Sequence, residues 1–217
     1  MRDFVIVWQN SGRLIDGLVN TVLLASLGTA LSLTFGVLLA MALRARQAAT
    51  RVAAQWLVDG MRCIPFLLLA YLVYYGLPSV GINFDNWTAG LCAIVVYNAA
   101  YMAEIVRGAW ARLPPDYIDA ALSFGFHGSA LYRRIVLPPV ALAAIPVFGN
   151  QVIQVIKDTA FLMIIAVPEL THAASSIQSK YYVPFAAFIA AVALYWILCS
   201  IVEAGVRWVE RLAEERR

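Results

Sequence analysis

Five stretches of this chain contain no Asp, Glu, Lys or Arg: Gly17–Leu43, Cys63–Phe84, Asn86–Ala103, Ile135–Ile156 and Tyr181–Val202. Each is long enough to cross a hydrocarbon core, which takes about 20 residues at about 1.5 Å of rise per residue. The pattern predicts an all-α membrane protein of one domain, 1–217, with five transmembrane helices at about 17–43, 63–82, 87–107, 135–156 and 181–206. A sixth apolar run, Thr159–Pro168, is too short to span and reads as a re-entrant or partial helix before the last span. Near the start, the apolar stretch Phe4–Trp8 is short and has no basic flank, so the first span is expected to serve as its own insertion signal.

Within the first span, Gly28, Ser32, Gly36 and Ala40 recur every four residues and stack on one helical face. Small residues in line let a second helix backbone approach closely, which predicts helix packing within the bundle or with a second subunit. Pro65, Pro78, Pro138, Pro139 and Pro146 are expected to break the second and fourth spans.

Composition agrees with the pattern: 62% of the residues are hydrophobic and 13% charged, against about 25% charged in soluble domains. The three cysteines, Cys63, Cys92 and Cys199, lie in apolar runs without metal-ligand or redox spacing and read as small core residues. No metal site is expected. Five spans put the termini on opposite sides, and the basic residues choose between them. With the C-terminus in the cytoplasm, the inside holds Arg44, Arg46, Arg51, Arg62, Arg107, Arg112, Arg133, Arg134, Arg207, Arg211, Arg216 and Arg217, and the outside only Arg2, Arg13, Lys157 and Lys180. The N-terminus is therefore expected outside.

That orientation makes residues 112–134 a cytoplasmic loop. Pro114 and Pro115 suit a helix start, with Asp116 as a nearby capping carboxylate. Tyr117, Ala120, Ala121 and Phe124 then fall at i, i+3, i+4 and i+7, giving one apolar face on a short helix that Gly125 can end by turning left-handed. Such a face needs cover, either from the lipid headgroup layer or from a groove in a cytoplasmic partner. Spacing alone leaves both open.

The segment Tyr117–Pro138, YIDAALSFGFHGSALYRRIVLP, resembles the Glu-Ala-Ala loop of binding-protein-dependent ABC importer permeases. Asp119, Ala120, Ala121, Gly125, Leu137 and Pro138 occupy the matching places, with Asp119 where the family more often has Glu. The segments DGLVNTV (Asp16–Val22), RCIPFLLLAYLVYYGLP (Arg62–Pro78), AAYMAEIVRGA (Ala99–Ala109) and KDTAF (Lys157–Phe161) resemble the polar amino acid branch of that family, in the same order. Cys63 and Ile64 replace its usual Gly-Thr.

The resemblance implies a subunit of the bacterial inner membrane that forms the pathway for a small polar amino acid or a relative such as an opine. It implies two ATPase subunits, a second permease subunit (the same chain or a paralogue) and an extracytoplasmic substrate-binding protein as partners. The loop helix, with Tyr117, Asp119, Ala120, Ala121, Phe124 and Gly125, would be the coupling helix. No GxxxxGK[ST] phosphate cradle occurs in the chain, so ATP and Mg are expected on the ATPase partners, with no cofactor here and no enzyme activity.

Polar groups inside spans are costly, which makes them candidates for the pathway. In the fourth span Asn150, Gln154 and Asp158 share one face, with Gln151 and Lys157 beside it; in the third, Tyr97, Asn98 and Tyr101 are candidates for the same cavity. Interhelical hydrogen bonding and aromatic packing are the alternatives. Glu104 and Arg107 are spaced as an ion pair or gate, and His172 as a surface residue of the outer loop. An ion-coupled secondary transporter, a channel or a membrane scaffold would need neither a partner-docking loop nor an ATPase, and no inverted repeat is visible.

Overall fold

The computed structural model describes residues 2–214, all of whose regular elements are helical. Arg216 and Arg217, counted above as inside, lie outside the described residues. Four helical runs are long and apolar enough to cross a membrane: Ser11–Ala42, Asn86–Ala111, Gly128–Ile165 and Pro184–Leu212. The expected second span differs. Residues Ala48–Cys63 form an amphipathic helix, and the chain then bends by 104° into the run Phe66–Val80. Pro65 causes the bend: it lacks an N–H and forces Ile64 into extended backbone, φ −87° and ψ 131°. The run at 63–82 is thus the outer arm of an elbow whose other arm is charged enough to have read as a loop. Cys63, expected in the core, is exposed at the elbow.

In chain order the α-helices are α1 Arg2–Gln9, α2 Ser11–Ala42, α3 Ala48–Cys63, α4 Phe66–Tyr71, α5 Asn86–Ala111, α6 Pro115–Ser123, α7 Gly128–Leu131, α8 Leu137–Thr159, α9 Leu170–Tyr181 and α10 Pro184–Glu214. The small-residue stripe of α2 is covered by α5 of the same chain. A Cβ on Gly28 would stand 2.6 Å from Ile94 Cγ2, and one on Gly36 would stand 2.4 Å from Met102 Cβ and 3.0 Å from the Ala99 carbonyl oxygen. Between them the buried Ser32 hydroxyl donates to the Val95 carbonyl at 3.4 Å. The two helices run parallel at backbone contact. Leu24, Ile94, Val155 and Leu162 then join α2, α5 and α8 in the central core.

The fourth span is not broken at its prolines. A π-helical segment, Tyr132–Val136, precedes α8, and Pro138 and Pro139 occupy the first turn of α8, where a missing N–H costs little. Pro146 sits inside the continuous helix. A second π-helical segment, Leu72–Gly76, follows α4.

Around α6, Pro114 is the N-cap and no side chain caps the helix, so Asp116 lies in the first turn without the capping role expected of it. Gly125 takes φ +84°, and the Gly125 and Phe126 N–H groups donate back to Leu122 and Ala121. The predicted apolar face divides. Ala121 is buried with Leu131, Val136 and Val140, whereas Tyr117, Ala120 and Phe124 are exposed, Phe124 to 84%.

Past α8, residues Ala160–Ile165 tighten into a 3-10 turn ended by Ala166 at φ +57°. The short run Thr159–Pro168 is therefore a 3-10 cap on α8 followed by α9, packed on the N-terminal half of α2. Leu14, Leu170, Ile177 and Ala187 form the core there.

Candidate functional site

Asn98 on α5 faces α8 and is buried. Its Nδ2 donates to the Ile94 carbonyl at 3.1 Å and to Asp158 Oδ2 at 3.4 Å, while its Oδ1 accepts from Gln151 Nε2 at 2.7 Å. Gln154 Nε2 donates to the other Asp158 oxygen at 2.8 Å. The result is a chain of amides ending on a buried carboxylate, Gln151 to Asn98 to Asp158 with Gln154 alongside. Asp158 has both oxygens engaged, and among the described residues no cation forms an ion pair with it. Such a group is retained in an apolar bundle only with its partners intact.

Tyr97 and Tyr101 extend the polar path along α5, their hydroxyls 3.2 Å apart and the Tyr97 ring packed on Phe66 of α4. The Tyr101 hydroxyl donates to the Arg62 carbonyl at 3.5 Å, and the Arg62 guanidinium lies 5.8 Å over the Tyr101 ring. One turn on, Glu104 receives both Nε and Nη2 of Arg107, with Nε at 2.8 Å, and stands 3.8 Å from Arg62 Nη1. An open cleft of about 320 Å³ borders these groups, lined among others by Arg62, Tyr101, Glu104, Arg112 and Gln151. Gln151 is the residue shared by cleft and buried network.

Sequence spacing grouped Asn150 with Gln154 and Asp158, but Asn150 and Lys157 are exposed and make no hydrogen bond to the network. The α-helix turns them away, and Gln151 from α8 itself and Asn98 from across the helix pair complete the cluster. His172 is half-buried, and its backbone N–H is what it contributes.

A second polar centre was not anticipated. Glu169, fully buried, caps α9 by accepting from the Thr171 and His172 N–H groups at 2.8 and 2.6 Å, and it accepts the Tyr195 hydroxyl of α10 at 2.7 Å. Thr21 of α2 accepts the preceding N–H, from Leu170, at 3.1 Å. The available signal was a lone carboxylate between Pro168 and a helical run, the position of an N-cap. Asp85 does the same for α5, accepting from the Trp87 and Thr88 N–H groups at 3.1 and 3.2 Å. The Thr88 hydroxyl, then those amides, hold the Asp85 carboxyl below its ordinary range. Among the described residues no three His, Cys, Asp or Glu side chains are grouped to hold a metal.

The family model described as binding-protein-dependent transport system inner membrane component matches residues 32–214. The chain belongs to this family. This permease is 29% identical over 214 residues to the probable glutamine ABC transporter permease protein GlnM of Bacillus subtilis (strain 168), covering 97% of each chain. It is 34% identical over 208 residues to the octopine transport system permease protein OccQ of Rhizobium radiobacter, covering 90% of this chain and 86% of OccQ. Its fold superposes with TM-score 0.90 and 27% identity on a crystal structure of an amino acid ABC transporter with histidines, covering 96% of this chain and 97% of that one. The methionine transporter MetNI, in an inward-facing conformation, shares the fold at TM-score 0.73 and 19% identity.

The permease is thus a membrane subunit of an ATP-driven importer and is not itself an enzyme; hydrolysis belongs to a separate ATPase subunit. Ion-coupled transport and channel activity are set aside by the same membership.

Proposed function

We propose that this permease carries a small polar amino acid, or a relative such as an opine, across the bacterial inner membrane, with its N-terminus outside and its C-terminus in the cytoplasm. The observation that carries the reading is the Gln151–Asn98–Asp158 network beside an open cleft, in a chain similar to glutamine and octopine permeases. Amide and carboxylate groups present donors and acceptors of the kind an amino acid needs. Tyr97, Asn98, Tyr101, Gln151, Gln154 and Asp158 line the pathway from within the chain, and the exposed Asn150 and Lys157 line it toward a second permease subunit, the same chain or a paralogue. Glu104, Arg107 and Arg62 close its inner end as an ionic gate.

Two ATPase subunits, which hold ATP and Mg, dock on the loop 112–134. There α6 acts as the coupling helix, offering Tyr117, Ala120 and Phe124 to a groove, with Asp119 at its rim and Gly125 ending it. Ala121 anchors the helix to its own bundle. A substrate-binding protein delivers the solute from outside, where the run 159–168 forms a short re-entrant or partial helix before the last span. Uptake of glutamine and octopine into proteoliposomes holding the assembled importer tests this. ATP-dependent accumulation is expected, and accumulation driven by an ion gradient without the ATPase overturns it.

A further inference from the structure

Where the C-terminal ends of α2 and α5 meet α3, an open cleft of about 490 Å³ is lined by Leu43, Arg44, Arg51, Val52, Gln55 and Arg107. Arg107 is held by Glu104. Among the described residues, no carboxylate lies within ion-pairing distance of Arg44 or Arg51. The nearby Asp59 is occupied by Gln55, whose Nε2 donates to it at 2.8 Å. Arg44 is fixed in place, its guanidinium 4.2 Å over the Trp110 ring, and Arg51 is tethered to the Ala45 carbonyl at 3.5 Å. Two preplaced cations thus face one cleft with their charge unspent.

The level of this cleft decides what fills it. Both α2 and α5 are membrane-spanning, and both end here, so the cleft opens at the membrane surface. Beside the arginines, α3 exposes Val52 and, one turn on, Trp56, which is 76% accessible. A tryptophan-bearing apolar face next to basic residues suits the boundary between headgroups and acyl chains. Basic pockets between spans at that level are built to take acidic headgroups. A free phosphate would use the arginines and leave Trp56 and Val52 in water.

We infer that this cleft holds the phosphate of an anionic phospholipid, with Arg44 and Arg51 as its ligands and the Val52–Trp56 face against the lipid's chains. The site is independent of the transported solute. Full-length permease, exchanged into nanodiscs of phosphatidylcholine doped with phosphatidylglycerol, is assayed for co-released lipid by native mass spectrometry. The wild type should retain phosphatidylglycerol over phosphatidylcholine, and each of Arg44→Gln and Arg51→Gln should cut that preference about fivefold. Arg13→Gln, at the opposite end of α2, should leave it unchanged. Trp56→Ala should reduce retention while keeping both cations, separating the site from a general charge effect. Undiminished retention in the Arg44→Gln/Arg51→Gln double variant overturns the site. So does complete displacement of the lipid by millimolar inorganic phosphate, or a double variant that keeps its lipid but loses co-purifying ATPase, which would make the cleft a protein-docking surface.

Discussion

Gln151 and Asn98, 53 positions apart in sequence, meet across α8 and α5 at 2.7 Å, amide nitrogen to amide oxygen. The contact fixes which side of Asn98 points at Asp158, because the oxygen is taken by Gln151 and the nitrogen is left to donate to the carboxylate. Gln151→Ala therefore leaves the Asn98 Oδ1 without its donor and removes a polar group from the cleft. ATP-dependent uptake should fall by about tenfold or more, the equivalent of about 1.4 kcal/mol, with the complex still assembled. Gln151→Glu, which can only accept, should not restore it. Normal uptake in both variants makes the network purely structural.

Gly36 and Gly60 make a matched pair of alanine tests. An added methyl at Gly36 collides with Met102 and with backbone of α5, whereas at Gly60 it meets nothing within 4 Å. Gly36→Ala should destabilise the detergent-solubilised permease by about 1–3 kcal/mol. Gly60→Ala, in the last turn of α3, should be neutral or stabilise by about 0.5–1 kcal/mol. Thermal unfolding of the two variants reads the difference directly.

At Gly125 the space is open, so any cost of a side chain comes from the backbone at φ +84°. Gly125→Ala should cost about 1–2 kcal/mol of local strain and Gly125→Val more, since branching at Cβ disfavours that region further. Co-purification with the ATPase should decline in that order, and Asp119→Ala, an exposed charge, should be milder than Gly125→Val. Full ATPase binding and uptake in Gly125→Val would remove α6 as the coupling element.

Removing the Glu169 carboxylate strands two N–H groups, a loss of about 1–3 kcal/mol for each buried donor left unpaired, and leaves the Tyr195 hydroxyl to the Thr159 and Thr171 hydroxyls at 3.4 and 3.2 Å. Glu169→Gln keeps one acceptor oxygen and should recover part of that loss in thermal unfolding, while Glu169→Ala should loosen α9 most. Protection of the α9 amides in hydrogen exchange checks the location of the effect.

Asp85 gives a pH dependence of known sign. Its folded carboxyl titrates below the ordinary 3.8, so its contribution is complete above that value and is lost as pH falls through the lower, folded one. Asp85→Asn should flatten the acid limb of the stability profile by lowering stability at neutral pH, where the carboxylate's contribution is complete, while leaving strongly acidic pH nearly unaffected.

The helical class and four of the apolar runs were legible because absence of charge over about 20 residues has few other causes. The elbow was less so: Arg51, Asp59 and Arg62 made α3 resemble a loop, although Ala54 and Val58 recur at the spacing of a buried helical stripe. In the network, Gln154 and Asp158 were visible from their spacing on one helix, but the partnership of Gln151 with Asn98 depends on how α5 and α8 are rotated against each other. Glu169 was hidden because a buried cap and an exposed loop carboxylate look alike until the helix it starts is placed.

The stripe of small residues on α2 has a mechanical consequence. With Gly28 seated against Ile94 and Gly36 against Met102, the two helices interlock like teeth, and neither can slide without driving a side chain into main chain. They form a single strut, and its α5 half extends about 39 Å at about 1.5 Å per residue over Asn86–Ala111. A displacement of the Ala111 end of α5 is then shared with α2 rather than absorbed by sliding between the two helices. Bending is left to the Pro65 elbow and the two π-helical segments.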